Sequence, residues 1–86
     1  MNGAIAALLD CAMADAARGR VCSPGREVVT VDLHVSFLRP ATGRLSASGR
    51  ATGGGRSVCF CEAEVTDAEG QVIATGMGTF RYREPG

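Results

Sequence analysis

The sequence predicts an α+β fold in which one apolar helix is followed by four successive antiparallel strands. Three observations carry that expectation. The first seventeen residues are alanine-rich with apolar side chains at helical spacing, residues 27–38 alternate with a period of two, and later alternating segments are separated by glycine-rich turns. No repeat and no long linker divides the 86 residues, so residues 1–86 read as one domain.

In the helical segment Ile5, Leu8, Leu9, Ala12, Met13 and Ala16 mark one buried face. The other positions are mostly alanine, which predicts a helix surrounded by protein. Asp10 stands in the middle of this run. Aspartate is a poor helix-interior residue and its ionised form is costly to bury without a partner, so Asp10 is a candidate for chemistry; a helix aspartate reaching solvent is the plainer reading. Arg18-Gly19-Arg20 supplies a stop, and Ser23-Pro24-Gly25 is turn chemistry.

Residues 27–38 form the strongest strand signal, with Val29, Val31, Leu33, Val35 and Phe37 on one face and Thr30, Asp32, His34 and Ser36 on the other. Arg39-Pro40 ends it, because proline lacks a ladder donor. Residues 43–52 alternate again with small side chains. After the Gly53-Gly54-Gly55-Arg56 turn, a third strand covers residues 57–66, with Cys59 and Cys61 sharing a face and Glu62 and Glu64 on the opposite, solvated one. Asp67-Ala68-Glu69-Gly70 closes a hairpin into a last strand near residues 71–83, where Gly76 and Gly78 mark close contacts or bulges. A meander with two open edges, and hence pairing with a second copy, is the expected arrangement.

Composition narrows the function. Formal net charge is zero and the nine basic residues, all arginine, are scattered from Arg18 to Arg83, which gives nucleic-acid binding no electrostatic support. The apolar N-terminal run lacks a basic flank, carries Asp10 and Asp15, and is too short and interrupted to span a bilayer, so a cytoplasmic protein with no membrane partner is expected. The four cysteines, at 11, 22, 59 and 61, have no zinc-knuckle or redox spacing and read as reduced, packed thiols. His34 is the sole histidine. No metal and no redox cofactor is implied.

Residues 3–13 (Gly-Ala-Ile-Ala-Ala-Leu-Leu-Asp-Cys-Ala-Met), 29–40 (Val-Thr-Val-Asp-Leu-His-Val-Ser-Phe-Leu-Arg-Pro), 55–58 (Gly-Arg-Ser-Val), 62–67 (Glu-Ala-Glu-Val-Thr-Asp) and 70–74 (Gly-Gln-Val-Ile-Ala) together resemble, in order, the hotdog-fold thioesterases of the phenylacetate-degradation (PaaI-like) type, within the 4-hydroxybenzoyl-CoA thioesterase superfamily. The resemblance covers nearly the whole chain. It implies a central helix wrapped by an antiparallel sheet, hydrolysis of an acyl- or aryl-acyl-CoA to free acid and CoA, and a homodimer or homotetramer. Family members enter the helix through a preceding helix and strand and an Asn-x-x-Gly-x-x-His-Gly-Gly-like approach. Here Met1 stands at the histidine's place, Asn2 and Gly3 at those of the glycine pair, so the resemblance is to a member shortened at its N-terminus.

Carried over by position, Asp10 becomes the base or nucleophile, and backbone N–H groups at Asn2 and Gly3 the oxyanion donors. Thr30 is placed to reach across the dimer interface and orient water beside the partner's carboxylate. Gly54, Gly55 and Arg56 fall where relatives contact the nucleotide end of CoA, and His34 is a further candidate for ligand contact. The alternative is a non-catalytic hotdog module that binds acyl-CoA or serves as a dimerisation subunit.

Overall fold

The structure, a computed structural model, describes residues 3–20 and 26–84. Helix α1 spans Gly3–Arg20, three residues beyond the expected end, and is followed by strands β1 (Glu27–Phe37), β2 (Ser46–Gly54), β3 (Val58–Thr66) and β4 (Val72–Arg83). One helix packed on one four-stranded antiparallel sheet is the α+β arrangement that the sequence predicts.

The strand order is β1-β4-β3-β2 rather than a meander. β1 pairs with β4 and β2 with β3, so the first two strands form opposite edges. The reason lies in residues 38–45. Backbone N–H groups of Leu38 and Arg39 donate to Ile73 O at 2.8 and 3.2 Å, and Arg39 Nη1 donates to Val72 O at 2.6 Å, pinning the end of β1 to the start of β4. The segment then crosses the sheet end, a span of about 14 Å that eight residues cover easily.

Helix and sheet meet through Ile5, Leu9, Met13 and Ala17, one helical stripe, which pack on Cys59, Cys61, Ala63, Val65, Ala74, Phe80 and Tyr82. The sheet admits the helix closely because two facing positions lack side chains. A Cβ on Gly49 would lie 2.5 Å from Ala12 O, and one on Gly76 would lie 3.2 Å from Met13 Cε. The buried phenol of Tyr82 donates to Ala17 O at 2.8 Å, tying the last helical turn to β4.

Two further expectations are corrected. A four-stranded sheet covers one side of a helix, and Ala4, Ala7, Leu8 and Cys11 on the far side of α1 are exposed in this chain. The alternation in β1 is also broken: the register shifts between Thr30 and Asp32, leaving Val31 as an extra, bulged residue. Thr30, opposite buried Phe80, therefore faces α1 together with Leu33, Val35 and Phe37. Val29, Asp32, His34 and Ser36 lie on the outer face. A second bulge, between Ala51 and Gly53, interrupts β2.

Candidate active site

Asp10 sits at the middle of α1 and is half-buried where the helix edge approaches β1. Thr30 Oγ1 donates to Asp10 Oδ1 at 3.0 Å. A carboxylate has about four lone-pair sites, so one hydroxyl fixes its orientation and leaves capacity for water or a substrate proton. This contact lies within one chain.

Gly3 opens the helix, and Asn2 lies outside the described residues. Seven residues separate Gly3 from Asp10, which at helical rise is about 10 Å along the axis. A backbone donor at Gly3 and the Asp10 carboxylate of the same chain thus lie nearly two helical turns apart.

Gly54, Gly55 and Arg56 form the β2–β3 corner. Gly54 has φ 130°, and a Cβ there would lie 2.4 Å from Val58 O; Gly55 N–H donates to the same oxygen at 2.9 Å. Only glycine suits such a corner. Two arginines that sequence reasoning passed over brace it. Arg20 Nη1, from the last helical turn, donates to Gly55 O and Val58 O at 3.1 and 3.3 Å, and Arg26 Nη1 donates to Arg56 O at 3.3 Å. Arg26 also lies 5.1 Å from the Tyr82 ring centroid and pairs with Glu84 at 3.2 Å. Two guanidinium groups thereby meet the corner that carries Arg56. Thr30, Phe80, Cys59 and Gly54 form one row across the sheet, so this corner is about 14 Å from Thr30, three strand spacings away.

His34 is not brought to Asp10. It lines an outer-face depression of about 700 Å³ with Asp32, Phe60, Glu62 and Met77, on the opposite side of the sheet from the helix. Glu62 there receives Arg50 Nη2 at 2.8 Å. Asp32 accepts the backbone N–H of Thr79 at 3.0 Å, a role that period-two reading hides because it assumes an unbroken ladder.

Below the helix, Cys59 and Cys61 are fully buried with their sulfurs 3.7 Å apart. Burial, helped by hydrogen bonding to Cys59, pushes the Cys61 thiol up to about 12. Burial and the Cys59 contact also raise Tyr82. Cys22 lies outside the described residues. Among the described residues no helix is long and apolar enough to cross a membrane, and no group of three or more His, Cys, Asp or Glu side chains could hold a metal ion.

Residues 1–74 match the sequence profile of the thioesterase superfamily. An esterase candidate from Halobacterium salinarum is 39% identical over 89 residues, covering 94% of this chain and 59% of that protein. A Bacillus halodurans protein crystallised with CoA superposes with a TM-score of 0.89 at 28% identity, over 95% of this chain and 58% of its own. A thioesterase candidate from Ralstonia eutropha, related to phenylacetic acid degradation, gives a TM-score of 0.86 at 30% identity, over 94% of this chain and 61% of its own. The chain thus spans about three fifths of the length of these relatives.

Proposed function

The chain belongs to the thioesterase superfamily, and on that premise we propose that it is a hotdog acyl-CoA thioesterase of the phenylacetate-degradation type, with Asp10 as its catalytic carboxylate. The Thr30–Asp10 hydrogen bond carries this reading, because it holds one acidic group in fixed orientation beside an apolar helix–sheet seam. As base, Asp10 takes a proton from water while the oxygen attacks the thioester carbonyl; as nucleophile, it forms an acyl-enzyme that water then opens. In either course Thr30 holds the carboxylate, the tetrahedral oxyanion rests on backbone N–H groups, and collapse expels the CoA thiolate, which takes up a proton.

The donors are those of Asn2 and Gly3 in a second copy. The axial separation of about 10 Å within one helix favours donors from a second chain, and hence a homodimer or a tetramer built from dimers. The nucleotide end of CoA falls to the corner of Gly54, Gly55 and Arg56, where Arg20 and Arg26 add positive charge. The relative crystallised with CoA supports that ligand class. His34 lies on the outer face, on the other side of the sheet from the helix. Free thiols at Cys11, Cys59 and Cys61 suit a reducing, cytoplasmic setting.

Release of free thiol from a panel of aryl-acetyl and medium-chain acyl-CoA thioesters tests the proposal, read beside direct CoA binding. Turnover of at least one member is expected. Binding of CoA with no turnover of any would replace the enzyme with a non-catalytic acyl-CoA module.

A further inference from the structure

Asp32 stands in the middle of the strongest strand of the chain, although aspartate is among the residues that strands disfavour. Its position explains it. Val31 is the extra residue of the β1 bulge, and Asp32 is the first residue after it, opposite Thr79. The Asp32 carboxylate accepts the backbone N–H of Thr79 at 3.0 Å, so a side chain supplies an acceptor to the ladder where the bulge disturbs it. At the second bulge a side chain also bonds to the neighbouring strand's backbone, here that of the extra residue: Thr52 donates its hydroxyl to Phe60 O at 3.2 Å.

The β1 bulge decides which way Thr30 faces. With unbroken alternation Thr30 would share the outer face with Asp32 and His34, on the far side of the sheet from Asp10. With the bulge in place its hydroxyl reaches Asp10 Oδ1. Asp32 itself stays on the outer face, with its carboxylate on the Thr79 N–H.

We propose that Asp32 is a positioning residue that latches the β1 bulge through Thr79 N–H and so keeps Thr30 on the Asp10 side of the sheet. The role of Asp32 in turnover rests on the thioesterase reading above; its role in setting the register does not. A carboxamide oxygen accepts the same hydrogen bond, whereas a valine restores an uninterrupted strand former and removes the acceptor.

The test compares Asp32→Asn and Asp32→Val. In acyl-CoA turnover the Asn variant is expected to stay within about threefold of wild type, and the Val variant to lose kcat by about 30-fold or more with KM within about threefold, the pattern of lost orientation rather than lost binding. Adding Thr30→Val to Asp32→Val should cost nothing further, because both changes remove the same hydroxyl from Asp10. In parallel, nuclear Overhauser contacts between the Thr30 methyl and the Asp10 turn of the helix should persist in Asp32→Asn and vanish in Asp32→Val. Retained contacts and retained kcat in the Val variant overturn the latch. If wild type turns over no CoA thioester, the thioesterase reading fails and the Overhauser contacts alone decide the latch. If Asp32→Val does not fold, Asp32→Ala, which removes the same acceptor without adding a branched side chain, takes its place: lost Thr30–Asp10 contacts are expected, and retained contacts overturn the latch.

Discussion

Asp10 owes its place to two neighbours of opposite character. Leu9 beside it is fully buried and anchors the helix, while Asp10, one residue on, turns toward the β1 edge where Thr30 meets it. The sequence made the oddity of Asp10 legible, since a carboxylate sits in the middle of an alanine-rich run. It also singled out Thr30, but on the wrong face, because a bulge leaves no signature in a clean alternation of valine, leucine and polar residues. Tyr82 carried no signal in the sequence at all, yet its hydroxyl closes the helix end on Ala17 O. Tyr82→Phe removes that donor and leaves a buried carbonyl short of a partner, so a loss of about 1–2 kcal/mol in denaturant unfolding is expected with turnover unchanged. A variant as stable as wild type would show that water replaces the phenol.

At the scale of elements, length and type of helix and strands follow from spacing, while pairing does not. β2 contains Ser46, Ala47, Ser48, Gly49 and Ala51, whose small side chains read as weak strand chemistry and nothing more. The structure explains them: the helix backbone at Ala12 rides directly over Gly49. Gly49→Ala places a methyl group 2.5 Å from Ala12 O, and because both partners are backbone the helix must lift. Overpacking of this kind costs about 1–3 kcal/mol. Thermal unfolding should register it, whereas alanine at the exposed Gly55, which faces open space, should be far milder. Equal effects at the two positions would mean that the helix does not sit where described.

The molecule as a whole combines a crossing connection with a helix stripe that the sheet leaves uncovered. The expected meander failed on residues 38–45, whose hydrogen bonds to Val72 and Ile73 send the chain across the sheet end; only tertiary contacts could reveal that. Buried sulfur gives the folded molecule an alkaline limit. Cys61 ionises near 9 when exposed and at about 12 in the fold, so its contribution is complete below the lower value and fades as pH rises toward the upper. Tyr82, also raised, acts in the same direction. Unfolding free energy should therefore decline above about pH 9 with a slope approaching ~1.4 kcal/mol per pH unit from the thiol, and Cys61→Ala should flatten that decline. A stability flat from about pH 8 to 11 in the unmodified chain would place the thiol in contact with water.

Catalysis by the Asp10 carboxylate, at a site shared by two copies, is the central proposal. Steady-state thiol release by Asp10→Asn, beside wild type at matched concentration and matched assembly state, tests this most directly. The near-isosteric amide should keep the fold and CoA binding while turnover falls by about 10²–10⁴-fold, the range for losing a positioned base. An Asn variant that releases thiol at the wild-type rate would contradict the account and place the catalytic group elsewhere.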